Sequence, residues 1–277
     1  MWGAVIFAVA LIVRLAHLWA IRDAAVFEVL LGDAHAYDGW AQRLAGGDWI
    51  GTDVFYQAPL YPYFLGVLYA LAGRDLVLVR VVQAIVGSGA AVLLTSAGTR
   101  LFSRRVGLLA GFGLALYAPA IFFDGLLQKS VLDVFFMCAT LWVASRLVDR
   151  PRDGWLWLAL GMTMGALSLT RENALALVVV ALVWSLLAGR WRKDRRHEAQ
   201  DEFEGHAVGL RALGDIRLRG LAAPALLLCG LAAVLLPVVA RNYAVTGGFY
   251  LTTSQFGPNF YIGNNPASDG TYMSLRP

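Results

Sequence analysis

Apolar stretches long enough to cross a bilayer recur along this chain, and they constrain its fold more than any other feature. Seven of them, at residues 2–21, 76–98, 106–123, 131–148, 154–170, 173–189 and 221–240, run about 17 to 23 residues each. A helix rising ~1.5 Å per residue needs about that length to traverse a hydrocarbon core ~30 Å thick. A soluble bundle would show amphipathic stripes in their place. With 58% of its 277 residues hydrophobic and 15% charged, the chain also lacks the polar surface to cover a soluble globule. The sequence therefore predicts an all-α, polytopic membrane protein with seven transmembrane helices. No basic residues precede the first stretch and no small-residue cleavage site follows it, so it reads as a retained helix.

Residues 60–72 are apolar but would rise only ~20 Å as a helix. Leu60, Tyr63, Phe64, Val67, Leu68 and Leu71 follow helical spacing, Pro59 suits a first turn and Gly73 can end it. This predicts a helix lying on the membrane surface. Counting it as non-spanning puts three basic loops on one side: Arg100, Arg104 and Arg105, then Arg146, Arg150 and Arg152, then Arg190 to Arg196. By the positive-inside rule that side is the cytoplasm. The net charge of +4 thus reports topology, and nucleic acid is not an expected partner. Residues 1–240 form a membrane module with an outer loop at 22–75 and a solvated cytoplasmic loop at 190–220. Residues 241–277 are an extracytoplasmic loop or the start of a further region.

Cys138 and Cys229 both lie in apolar stretches, where they read as small packed hydrophobes and not as a disulfide or metal site. No P-loop, zinc-protease helix or CxxC pair occurs, and Gly111-x-Gly113 falls within a span. Soluble-cofactor chemistry is disfavoured. Gly161 and Gly165 form a small-xxx-small pair suited to close helix packing.

Residues that could carry chemistry gather in the outer loops. Asp33 opens a short amphipathic helix with Tyr37, Trp40, Ala41 and Leu44 on one face, ending at Gly46-Gly47. Asp33 reads either as an N-cap alone or also as a general base for a hydroxyl acceptor. His35 is its nearest titratable neighbour but points to a different face. The aromatic run from Phe55 to Tyr63 fits a headgroup belt or a sugar-stacking surface. In the second outer turn, Lys129 and Asp133 stand at i, i+4 and form an interfacial ion pair on one reading. On the other, Asp124 is a second acid or metal ligand and Lys129 a counter-charge for phosphate. Arg171 and Glu172 break an apolar run, either to let the chain turn or to meet a lipid phosphate. Arg14 and His17 face other helices or snorkel. The segment from Arg241 to Tyr272, rich in amides, turn formers and aromatics, supplies a polar binding surface.

In their order along the chain, several segments resemble the GT-C superfamily of membrane glycosyltransferases, among them bacterial relatives of the protein mannosyltransferases and the lipid A aminoarabinose transferase. The segments are Gly32-Asp33-Ala34 with Tyr37, Tyr56-Gln57-Ala58-Pro59-Leu60-Tyr61-Pro62, Arg100-Leu101-Phe102-Ser103-Arg104-Arg105, Leu169-Thr170-Arg171-Glu172-Asn173-Ala174 and Arg241-Asn242-Tyr243. The chain departs from its relatives at Gln57-Ala58 and Lys129-Ser130. The resemblance implies a seven-helix GT-C module with two surface helices in its first outer loop, in a bacterial inner membrane with its active face extracytoplasmic. It implies a polyprenyl-phosphate-linked sugar as donor, a glycan, lipid or protein as acceptor, and membrane lipids as surroundings. By carry-over Asp33 and Asp124 are the expected catalytic acids. His35, Tyr37, Gln57, Tyr61, Lys129, Arg171, Glu172, Arg241 and Asn242 are the expected substrate-binding residues. The sequence does not require a divalent metal. Relatives continue into further spans or a soluble domain where this chain stops at Pro277, so a fragment is one reading. The expected reaction is sugar transfer with inversion; the rivals are a lipid or solute transporter and a non-catalytic subunit of an envelope glycan assembly complex.

Overall fold

The computed structural model describes residues 2–186, 210–266 and 268, and every regular element among them is helical. In chain order these are α1 (Trp2–Ile21), α2 (Ala25–Glu28), α3 (Asp33–Ala45), α4 (Leu60–Ala72), α5 (Leu76–Leu101), α6 (Arg104–Ala115), α7 (Ala118–Asp124), α8 (Ser130–Asp149), α9 (Gly154–Ser168), α10 (Glu172–Leu186), α11 (Leu210–Thr246) and α12 (Phe256–Asn264). Side-chain caps set several starts. The Asp75 carboxylate accepts from the Val77 and Leu78 amides at 2.8 and 3.0 Å, Ser103 Oγ from Val106, and Asp153 from Trp155.

Among the described residues four helices are long and apolar enough to cross a membrane: α1, α5, α8 and the Leu221–Thr246 part of α11. A fifth candidate is α6 with α7, which the sequence predicts as one span and the structure bends by 49°. The cause is local. Pro119 lacks an interior N–H, so the helix stops at Leu116–Tyr117 and restarts at Ala118. The predicted spans at 154–170 and 173–189 correspond to the shorter apolar helices α9 and α10. Residues 190–209 of the predicted cytoplasmic loop and the last three residues of the predicted span 173–189 lie outside the described residues, as do Asp269 to Tyr272. The remainder of that loop, from Leu210, is helical and continuous with α11.

The helix expected at residues 60–72 forms at Leu60–Ala72, closed by Gly73 at φ 77°. It packs along α3, and both dock on the bundle through a core of Tyr37, Tyr61, Leu65, Val79, Leu127 and Val131. α5 is central, against α1, α6 and α8, while α9 packs on α8 and α11. The α9–α11 approach needs glycine: a Cβ at Gly161 would overlap the Leu227 carbonyl. Cys138 is buried and Cys229 exposed, both as free thiols.

Arg100 and Asp149 pair at 2.7 Å and tie the C-terminal ends of α5 and α8 together. At the opposite end Arg80 and Gln83 of α5 donate to the carbonyls of Gly125 at 2.9 Å and of Asp124 and Leu126. There too the Leu60 amide reaches Leu169 O at 3.2 Å, and the Phe55 amide reaches Asn242 Oδ1. The first long loop, the turn after α7, the α9–α10 junction and the end of α11 therefore converge on one end of the bundle.

Candidate functional site

α3 begins at Asp33, and Gly32, at φ 56°, occupies the cap position with no side-chain cap bond. The N-cap reading of Asp33 is thereby corrected: its carboxylate is not spent on the helix. Oδ1 accepts from Gln57 Nε2 at 2.9 Å across the mouth of the α3–α4 hairpin, and Asp33 is exposed. One turn on, Tyr37 is 1% exposed and meets Tyr61 edge-on at 5.2 Å. Burial first, then the negative charges of Asp33 and Asp133, push its phenol far above the ordinary range. One phenol thus lies in electrostatic reach of both carboxylates. His35 is exposed, on another face of α3, and makes no hydrogen bond.

The expected Lys129–Asp133 ion pair does not form. Asp133 Oδ2 instead accepts from Arg171 Nε at 3.1 Å, from the α9–α10 junction, while Oδ1 is buried without a hydrogen-bond partner. Ser130 Oγ, one turn earlier, is also buried and unpartnered. Lys129 is half-buried and carries no ion pair. The start of α8 therefore carries the Lys129 ammonium, which makes no ion pair among the described residues, and behind it a buried hydroxyl and a buried carboxylate oxygen, with the half-exposed Arg171 guanidinium on Asp133. Sequence reading missed Asp133 as a site residue. The available signal was an acid just inside an apolar helix, a placement that is costly without a partner or a purpose.

Asp124 is placed elsewhere than expected. It is 5% exposed and its Oδ2 accepts from Arg14 Nε at 2.7 Å inside the bundle, so it is not a free acid. Arg14 also donates to the carbonyls of Ala10 and Ala115, which resolves it as facing other helices. Tyr61 is fully buried and donates to Gln83 Oε1 at 2.6 Å, which makes it a packing residue behind Tyr37. Glu172 accepts from Thr253 Oγ1 and from Gln255 Nε2 at 2.8 Å, fastening the segment after α11 to the head of α10. Arg241 donates to the carbonyls of Ile50 and Asp53, each at 2.6 Å, and lies 3.9 Å over the Phe55 ring. Asn242, fully buried, joins the Phe55 amide to the Thr252 carbonyl. Arg241, through Nε and one terminal nitrogen, and Asn242 therefore hold loops in place, while the other terminal nitrogen of Arg241 makes no hydrogen bond among the described residues.

Those loops enclose a cleft of about 410 Å³ between the second half of α3 and residues 48–57, with Gln57 in its wall. Gln57 thus joins the cleft wall to the Asp33 carboxylate, which itself stands outside the lining. Behind it, Asp38 is buried among Tyr69 Oη at 2.6 Å, Arg74 Nε at 2.9 Å and Gln42 Nε2 at 2.7 Å. Burial raises its carboxyl pKa, but the bonds from Arg74, Tyr69 and Gln42 outweigh that and leave it below the usual carboxylate range. Among the described residues no group of three or more His, Cys, Asp or Glu side chains is arranged to hold a metal.

Residues 56–199, just over half of the chain, match the family model described as dolichyl-phosphate-mannose-protein mannosyltransferase. The chain belongs to this family. A mannosyltransferase-type membrane glycosyltransferase is thus the class into which the site must fit. The matched range holds Gln57, Tyr61, Asp124, Lys129, Asp133, Arg171 and Glu172; Asp33 precedes it, and Arg241 and Asn242 follow it. No curated protein and no solved structure matches the chain.

Proposed function

We propose that this mannosyltransferase-family chain moves a sugar from a polyprenyl-phosphate donor to a hydroxyl acceptor with inversion, using Asp33 as general base. The observation that carries the reading is the Asp33 carboxylate: exposed, freed from capping, steered by Gln57 through one oxygen and open at the other. In the step, the acceptor hydroxyl gives its proton to Asp33 as its oxygen attacks the anomeric carbon. The bond from that carbon to the phosphate oxygen breaks, and the electron pair leaves with the lipid phosphate. A single displacement inverts the centre. Lys129 and Arg171 meet the phosphate charge, and Asp133 positions the Arg171 guanidinium. In this reading α6–α7, α9 and α10 complete seven crossings in a bacterial inner membrane, and α3 and α4 rest on its extracytoplasmic face. The polar and charged residues within the bundle do not favour a transport pathway, because Arg14, Arg80, Gln83 and Asp124 are bonded to one another or to carbonyls.

Asp33→Asn tests the reading, since the amide oxygen still accepts from Gln57 while the base is gone. Transfer of labelled mannose from a polyprenyl phosphate by proteoliposomes is expected to fall ~100-fold or more with expression unchanged. Near wild-type transfer by the variant overturns the assignment.

A further inference from the structure

The cleft beside Asp33 has a lining that points to one class of occupant. Trp49 and Tyr56 present half-exposed ring faces, 37% and 45% accessible, and Trp40 stands behind them. These rings are braced: Tyr63 lies 6.1 Å from Trp49 and 6.3 Å from Trp40, and its hydroxyl donates to Trp49 O. Around them stand Arg43, exposed and without an ion pair, and the carboxylates of Asp48 and Asp53. Asp48 accepts from the Gly51 amide and Asp53 from Thr52, each through one oxygen.

We infer that this cleft is the acceptor subsite and that the acceptor it takes is a carbohydrate. The inference rests on Asp33 being the base, because only then does the cleft end where an acceptor hydroxyl must sit. A sugar ring offers an apolar C–H face to an aromatic plane and a rim of hydroxyls that both donate and accept. The two carboxylates take the donated bonds and Arg43 supplies one in return. Other occupants fit less well. A polyprenyl chain would strip water from Asp48, Asp53 and Arg43 and offer no hydrogen bond in return. An anion would meet the carboxylates of Asp48 and Asp53, which offset the guanidiniums of Arg43 and Arg241 in the same lining. An extended peptide needs a row of free backbone groups, but the carbonyls of Trp49, Ile50 and Asp53 are already taken by Tyr63 and Arg241. The volume, about 410 Å³, lies within the range of small-molecule sites, ~300–1,000 Å³.

The full chain in lipid nanodiscs is probed by saturation-transfer NMR with mannobiose, cellobiose, chitobiose and a serine-containing tetrapeptide. Saturation of the ring C–H protons of at least one disaccharide is expected, weakened about tenfold in affinity by Trp49→Ala and reduced by Arg43→Gln. Both positions are exposed, and an unchanged thermal midpoint verifies that each variant folds. No disaccharide signal, a signal unaltered in both variants, or saturation of the tetrapeptide alone overturns the inference. Asp33→Asn separates it from the reading beneath it. Disaccharide binding retained with transfer lost supports both; transfer and disaccharide binding both absent overturns the carbohydrate subsite alone; transfer retained overturns the base.

Discussion

Gly87→Ala isolates the energetic worth of the ion pair at the centre of the bundle. Gly87 lies on the face of α5 that meets the Arg14–Asp124 contact, and a methyl there would overlap Asp124 Oδ2 and come within 2.9 Å of Arg14 Nε. Both side chains are nearly inaccessible, at 2% and 5%. Two responses are open. The helices can shift to relieve the overlap, which costs ~1–3 kcal/mol as overpacking. Alternatively the pair opens, and each charge is left uncompensated in a dry interior, at ~3–5 kcal/mol. Relaxation takes the cheaper route, so a loss of about 1–3 kcal/mol is expected, a roughly 5- to 150-fold drop in the folded ratio. Gly89, two positions on, provides the control: a methyl there meets only Phe135 at 3.7 Å, an ordinary contact. Because helices persist in the membrane before they associate, a gain in helix propensity contributes little to either variant. The assay is unfolding by titrated dodecyl sulfate in mixed micelles. Equal midpoints for Gly87→Ala and Gly89→Ala would refute the argument, since only the first disturbs the pair.

Lys129→Ala is expected to raise the KM for polyprenyl-phosphate mannose at least ~10-fold, with little change for Lys129→Arg, because the position supplies charge and not shape; equal effects of the two substitutions would remove Lys129 from the phosphate contact. Asp38→Asn should lower the thermal midpoint at pH 6 by a few degrees, through lost charge-assisted bonds to Arg74 and Tyr69 worth ~1.5–3 kcal/mol. The Asp38 carboxyl is depressed in the fold, so this stabilisation is full above the unfolded pKa of ~3.9 and disappears as pH falls through the lower folded value. The gap between wild type and Asp38→Asn should therefore narrow as the thermal scan is taken from pH 6 to pH 3, and a gap constant with pH contradicts it. Cysteines at Asp53 and Asp75, flanking α4, should both react with an impermeant reagent in intact cells; labelling of only one would make α4 a crossing.

Sequence reading succeeded where the information is local. α4 emerges at Leu60–Ala72 because Pro59, Gly73 and the helical spacing between them fix both ends within a few residues. α3 ends at Ala45 beside the Gly46-Gly47 pair for the same reason. The break before Pro119 was missed because apolarity continues unbroken through it, and hydropathy does not register a missing N–H. At the site, partnerships between distant residues were illegible. Lys129 and Asp133 invite pairing at helical spacing, yet Arg171, 38 residues away, takes the carboxylate. Arg14 claims Asp124 across 110 residues, and Gln57 claims Asp33 across 24. Composition could place these side chains at one end of the bundle, but not choose among the partners available there.

The bonds from Arg241 to Ile50 and Asp53 join residues 191 and 188 positions apart. A ribosome adding ~5–20 residues per second therefore delivers the two halves of that joint roughly 10–40 s apart. Until the C-terminal end of α11 emerges, the stretch around Ile50 has its tryptophan and its acids but not the guanidinium that fixes its carbonyls. The cleft is thus among the last parts of the chain to be completed, and the nascent protein passes through a stage that holds Asp33 and Gln57 without the wall that Arg241 fixes.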